Sequence, residues 1–410
     1  MRRAVITGLG TVNPLANNVA DTWTGLCNGQ SGVNQITQFD ASPFRTQIAG
    51  ELKNFEPDQL FGSKQARRLD RYSQFALAAA MEAIDDSNLE LESEDPFRVG
   101  VILGTGIGGM RTFEEECEKY QQKGPDRISP FLIPRMMPNG ATAAISIHFG
   151  LRGPTFSVSS ACASAADAIA MARDIILAGR GDAIITGGAE AAITPLGLGG
   201  FCAARSLSER NDAPQIASRP FDQNRDGFVL GEGAGVIVVE EYEHARRRGA
   251  NIYCEITGCG QASDAHHITA PDPHGAGAIN AMRLAIADAG RNVDEIDYIN
   301  AHATSTHLGD LAEANAICQV FGSHIDKLAV SCTKSMIGHL CGGSGGVATI
   351  AAALSIRHGT IHPTINCDDL DPEVKLDITP NTAREIGVRN AMLNNFGFGG
   401  HNSSLVLSKI

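Results

Sequence analysis

The chain is short of positive charge, of aromatic residues and of paired cysteines. Its 33 Lys and Arg stand against 46 Asp and Glu, a formal net charge of −13. General nucleic-acid binding needs a basic surface, so that class is excluded, and an acidic partner must dock on a local basic patch. The ten cysteines, at 27, 117, 162, 202, 254, 259, 318, 332, 341 and 367, never form a Cys-x-x-Cys, so a zinc site has no support and no metal is expected. No apolar run is long enough to span a bilayer, and a strand follows Met1-Arg-Arg directly with no leader pattern. Buried thiols in such a chain fit a reducing compartment, so a cytoplasmic protein with no membrane association is expected. Aromatics make up 5% and charged residues 19%, whereas glycine supplies 45 of 410 positions. That balance suits an α/β protein with tight turns and close backbone packing, large enough for two domains or one fused pair.

The chain reads as two copies of one pattern. Ala4-Val-Ile-Thr-Gly-Leu-Gly10 returns as Glu255-Ile-Thr-Gly-Cys-Gly260, and Val99–Gly104 returns in character as Asp297–His302. Phe156–Cys162 returns as Leu328–Lys334, Ala183–Gly188 as Ala391–Phe396, and Gly235–Glu240 as Ser403–Ser408, all in the same order. Helical stretches at Ala76–Asp86, Ala163–Ala178, Gly277–Ala289 and Leu308–Val320 alternate with these strands, which means sheets covered by helices. We therefore divide the chain into halves at 1–250 and 251–410, the first lengthened by a polar insertion near Thr112–Pro138 suited to a cap or a dimer contact.

One stretch organises the first half. Phe156-Ser-Val-Ser-Ser-Ala-Cys162 passes from strand into a helix apolar on nearly every face, the mark of a central buried helix. Cys162 stands at the handover, where free backbone N–H groups and the positive helix end favour a thiolate. Four pattern matches fail on context. Gly104–Gly109 fits a dinucleotide loop without the acidic residue that should follow, and Gly342–Gly346 fits a nucleophile turn with no strand directly before it. Ser331–Lys334 lacks the companion elements of a Ser-x-x-Lys enzyme, and Asp222–Gly227 lacks the closing carboxylate of a calcium loop.

In the second half the strand ends carry chemistry: His302 with Thr304 and Thr306, then Lys334 with His339, then the loop Phe396-Gly-Phe398-Gly-Gly400-His401. Strand carboxyl ends gather in α/β sheets, so these residues and Cys162 can converge. A Cys thiolate accepts an acyl group from another thioester, and two neutral histidines can stabilise the enolate left when a carboxylate departs as CO₂. The amides of Cys162 and Phe398 can then serve the tetrahedral oxyanion, with Gly399 among the glycines that let the loop move.

On Ser160-Ala-Cys162-Ala, Arg219–Gly235, Asn300–Thr306, Thr333–Leu340 and Asn395–Gly400, the chain resembles the elongating β-ketoacyl-acyl carrier protein synthases of type II fatty acid synthesis, nearest their synthase II branch, within the thiolase superfamily. The resemblance spans the chain from Val5 to Ile410 and implies an α/β fold, the duplicated five-layered αβαβα sandwich. It implies Cys162 as the acylated nucleophile, His302 and His339 as the decarboxylation pair, Lys334 as the residue that orients the site and holds His339 neutral, and Phe398 as a gate. It further implies Thr304 and Thr306 on the phosphopantetheine arm and Ile107 and Phe201 along the acyl pocket. Lys64, Arg67, Arg68, Arg127 and Arg205 are the candidate patch for an acidic acyl carrier protein. The implied substrates are malonyl and acyl thioesters, the implied assembly is a homodimer, and no cofactor is implied beyond the phosphopantetheine that arrives on the carrier.

Three positions depart from the family pattern. Ala303 replaces a usual Gly, His401 a usual Thr, and Ala348 the Glu that would pair with Lys334; Asp310 and Glu313 are present to compensate. The nearest alternative is a ketosynthase of a type II polyketide or specialised lipid pathway. A non-catalytic chain-length subunit is disfavoured by Cys162, and a degradative thiolase by the absence of Cys in Asn394–Ser404.

Overall fold

The computed structural model describes residues 2–410. In the first half, strands β1 (Ala4–Val12), β2 (Val99–Gly104), β3 (Thr155–Val158), β4 (Ala183–Glu190) and β5 (Gly233–Glu241) lie in the order β3-β2-β4-β5-β1. In the second, β6 (Cys254–Ser263), β7 (Tyr298–Asn300), β8 (Ala329–Ser331), β9 (Asp377–Ile378), β10 (Asn390–Gly397) and β11 (His401–Ser408) lie in the order β9-β8-β7-β10-β11-β6. With β9 set aside as an added edge, each strand of a sequence pair holds the equivalent place in its half. The two half-sheets meet at β1 and β6 through only two residue pairs, Val5 with Glu255 and Ile6 with Cys254.

The strands are apolar on both faces, so each half-sheet must be covered twice. Val101 and Leu103 of β2 and Val236 and Val238 of β5 turn outward onto helix α1 (Arg71–Ser87). Their neighbours Ile102, Ile237 and Val239 turn inward, to the same core as Leu393, Leu405 and Leu407 of the second half. That inner core holds α3 (Ser164–Leu177) and α7 (Ser344–His358) between the half-sheets. On the far side, Met392 and Val406 face α5 (Ala276–Asp288) and α6 (His307–Phe321). The result is five layers, αβαβα. Two further helices, α2 (Met110–Lys123) in the insertion and α4 (Pro195–Ala203), lie outside this stack.

The central helices are not equally buried. α3 exposes Met171 and Asp174, whereas α7 is buried at every residue from Ser344 to Ile356, so all-round burial belongs to the second-half helix. Its closeness to the sheet depends on glycine: a Cβ on Gly346 would stand 2.0 Å from the Gly235 carbonyl oxygen, and one on Gly235 2.3 Å from the Gly346 carbonyl carbon. The insertion is less polar on its surface than its charge run suggests. It leaves Phe113, Tyr120, Phe131 and Ile133 exposed, while the Thr112 N–H donates to Asp70, the residue that caps α1.

Candidate active site

β3 ends at Val158, and the chain turns once through Ala161–Ala163 before α3 begins. The turn needs a left-handed residue, Ala161 at φ 52°, a strained conformation for a residue with a side chain. Ser164 secures it by accepting the Ser160 N–H at 2.9 Å and donating to the Ala161 carbonyl at 2.6 Å. Cys162 is thereby held at the wall of a cavity of about 440 Å³. Across from it the β10–β11 hairpin comes close because Gly397 has no side chain: a Cβ there would lie 3.0 Å from the Cys162 nitrogen. The loop beyond turns through Gly399 and Gly400 at positive φ and is tied by Gly399 N–H to the Ile268 carbonyl at 2.7 Å. The backbone N–H groups of Phe398 and of Cys162 itself lie near enough to the Cys162 sulfur to favour its thiolate.

His302 follows β7, and its turn hangs on a buried carboxylate. Glu313 of α6 accepts the N–H of His302 at 2.9 Å, the N–H of Ala303 at 2.7 Å and the Asn394 amide at 3.1 Å. His339 is fixed from three sides. Its backbone N–H donates to Val229 at 2.7 Å, its Nδ1 lies 2.9 Å from the Ser344 hydroxyl, and its Nε2 lies 3.0 Å from the Cys162 sulfur. The two imidazoles meet edge to face with centroids 5.5 Å apart. Burial, then the Lys334 charge, holds both histidines well below their usual pKa, so both are neutral.

The thiol behaves differently from the sequence expectation. Burial pushes Cys162 up to about 11. The Phe398 N–H, the Lys334 charge and the Cys162 N–H all favour the thiolate, yet together they do not outweigh desolvation. Cys162 at rest is therefore a neutral thiol. Alkylation of Cys162 by iodoacetamide should accelerate about tenfold per pH unit from pH 7 to 10 with no plateau, since the thiolate is the reactive form. A plateau near neutral pH, read from inactivation rates, would contradict this.

Lys334 is 1% exposed, and its ammonium has no hydrogen-bond partner among the described residues. Ala348 in α7 offers it no carboxylate, and compensation comes as charge alone: Glu313 feels the Lys334 ammonium without bonding to it. Asp310 turns to Arg225 at 3.6 Å and to the N–H groups of Phe221 and Ser305, while Glu313 serves the His302 turn. Lys334 thus makes no hydrogen bond to His339 and acts on it through charge; the orienting contacts come from Val229 and Ser344. Because Glu313 holds two adjacent N–H groups, Glu313→Gln sets an amide N–H against one of them. That leaves a buried donor unpaired, a loss of about 1–3 kcal/mol of stability with the His302 turn displaced. A melting temperature and condensation rate equal to wild type would show that the turn stands without the carboxylate.

Cys162, His302, His339, Phe398, Thr304, Thr306, Phe201 and Arg205 line the one cavity. The two threonine hydroxyls lie 3.3 Å apart on its wall. Ile107 does not line it: it packs with Phe201, Phe228 and Cys341 in the apolar cluster beside it. Gly399 shapes the gate without forming a wall. Lys64, Arg67 and Arg68 share one exposed helical turn, with Arg68 over the Phe131 ring at 5.6 Å, and Arg127 is exposed on the turn after α2. His401 begins β11, exposed beside the gate. Two residues escaped sequence reasoning. Glu190, fully buried, accepts N–H groups from Gly106, Ile107, Gly108 and Gly342 and so joins the loop after β2 to the turn before α7. An acidic residue closing the apolar run Ala183–Ala189 was its signal. The other, Ser344, lay hidden among glycines.

The β-ketoacyl synthase N-terminal domain matches residues 1–245, and the β-ketoacyl synthase C-terminal domain matches residues 253–368. A protein named 3-oxoacyl-acyl-carrier-protein synthase 2 from Coxiella burnetii is 49% identical, covering 100% of this chain and 99% of that one. One of the same name from Staphylococcus aureus is 47% identical, covering 100% and 98%. Among solved structures, an ishigamide ketosynthase/chain length factor superposes with a TM-score of 0.94 at 34% identity, covering 100% and 99% of the two chains. A β-ketoacyl synthase from Burkholderia phymatum gives 0.93 at 34%, covering both chains fully. With both domains matched, the layered thiolase-like fold shared and a thiol held against two neutral histidines, the chain belongs to the β-ketoacyl synthase family of carbon–carbon bond-forming enzymes.

Proposed function

We propose that the chain elongates fatty acyl groups by decarboxylative condensation of an acyl thioester with malonyl-acyl carrier protein. The observation that carries this is the meeting of Cys162, His339 and His302 at one cavity, with Phe398 on the same wall. In acyl transfer the Cys162 sulfur attacks the acyl-carrier thioester, the carrier thiol departs with the thiol proton, and acyl-Cys162 remains. Malonyl-carrier then occupies the cavity with its pantetheine arm along Thr304 and Thr306. Loss of CO₂ leaves the bonding pair on the thioester as an enolate, whose oxygen takes hydrogen bonds from His302 and His339. The enolate carbon attacks the acyl carbon, and the oxyanion so formed lies toward the Phe398 and Cys162 N–H groups. Its collapse expels the Cys162 thiolate, which regains a proton from solvent. No metal or organic cofactor enters these steps.

The partner is an acyl carrier protein, whose acidic surface suits Lys64, Arg67, Arg68, Arg127 and Arg205; a solved neighbour at 31% identity is a ketosynthase in complex with its acyl-carrier protein. The protein acts in the cytoplasm as a homodimer. Strand β3 is paired on one side only, and Phe131, Ile133, Ile147 and Met171 are exposed apolar residues suited to a second copy. The full-length relatives carrying the synthase 2 name are 47–49% identical, against 31% for a type II polyketide ketosynthase, which favours fatty acid elongation. The test is a condensation assay with malonyl-carrier protein and acyl-carrier proteins of graded length, read by the mass of the product arm. A β-ketoacyl arm two carbons longer than the primer is expected for saturated primers. Folded protein that yields no product at any length would overturn the proposal, and reaction confined to polyketide intermediates would move it to the specialised pathway.

A further inference from the structure

Ser344 opens α7 and is 2% exposed. Its counterpart in the first half, Ser164, opens α3 and uses its hydroxyl on the backbone of its own turn. Ser344 makes no such backbone bonds among the described residues; its Oγ lies 2.9 Å from His339 Nδ1 instead. A buried hydroxyl hydrogen needs an acceptor, and the only partner Oγ has is that nitrogen. Were Nδ1 protonated, Oγ would accept from it and the Ser344 O–H, turned away, would be left unpaired. A bare Nδ1 satisfies both groups.

His339 is held neutral by burial and by the Lys334 charge, so its single ring proton then sits on Nε2. That nitrogen is 3.0 Å from the Cys162 sulfur, at the place where the reacting carbonyl must lie. We infer that Ser344 is a positioning residue that fixes His339 as the Nε2–H tautomer, a hydrogen-bond donor to the enolate oxygen during decarboxylation. The residue touches no substrate and acts through the ring. This rests on the condensing role proposed above. It assigns the serine to one half of the reaction only, because acyl transfer passes the thiol proton to the carrier thiol and makes no demand on Nδ1.

The test compares wild type, Ser344→Ala and Ser344→Thr by three readings. In ¹⁵N-histidine-labelled protein, the His339 signal, assigned by its loss in His339→Asn, should show a bare Nδ1 in wild type and mixed tautomers in Ser344→Ala. CO₂ release from malonyl-carrier protein should fall about tenfold in Ser344→Ala, the scale of one buried hydrogen bond. Acyl-Cys162 formation, followed by intact mass, should stay within about twofold, and Ser344→Thr, which keeps the hydroxyl, should restore CO₂ release. A protonated Nδ1 in wild type would overturn the inference. So would equal losses in both half-reactions, or an unchanged spectrum and rate in Ser344→Ala. If wild type makes no β-ketoacyl product, the condensing role fails while the spectrum still reports the tautomer.

Discussion

Cys162→Ala should abolish condensation, lowering the rate on the order of 10⁴–10⁶-fold, the scale seen when a covalent nucleophile is removed. The fold should survive, since the thiol packs no core cluster and the turn is held by Ser160 and Ser164 rather than by the sulfur. The contrast between the two half-reactions is the sharper reading. Without the sulfur no acyl-enzyme appears by mass, yet His302, His339 and Lys334 remain in place. Malonyl-carrier protein should still lose CO₂ and leave acetyl-carrier protein. Acyl-enzyme appearing in Cys162→Ala at another residue would show that the nucleophile lies elsewhere.

His302→Ala should divide the reaction the other way. His339, not His302, touches the thiol, at 3.0 Å. Acyl-Cys162 should therefore form within about threefold of the wild-type rate, while CO₂ release falls about 10²–10³-fold, the loss expected for one oxyanion donor. Rapid-quench measurement of both products on one preparation decides it. Equal loss of acylation and decarboxylation would mean that His302 serves the thiol as well. The division follows from the contacts each ring makes: His339 touches the sulfur, whereas His302, on the Glu313-held turn, meets His339 edge to face.

Much of this was legible in the order of residues. The five strand pairs could be read because a buried strand is a short apolar run, and duplication repeated those runs in the same order. Cys162, His302 and His339 could be found because strand ends share one edge. What the sequence could not disclose depended on sums over distant neighbours. The sign of the Cys162 shift is set by desolvation from both halves, not by the helix that Cys162 precedes. That Lys334 has no bonded carboxylate depended on Asp310 finding Arg225, and on Glu313 holding two amides and reaching Lys334 through charge alone. Ile107 joins the apolar cluster of Phe201 and Phe228, residues from other segments that line the cavity themselves. Ser344 looked like one more small residue in a glycine run, since nothing local says which way a hydroxyl at a helix start will turn.

Cys162 comes from one half of the duplicated fold, and His302, His339, Lys334 and Phe398 come from the other, brought together across the inner core that both halves share. A nascent chain that has made only its first half holds Cys162 and neither histidine. A second half folded alone would hold the decarboxylating groups with no acyl acceptor. Malonyl units are therefore safe from futile breakdown on a first-half intermediate during synthesis, and activity itself certifies that both halves have folded and docked.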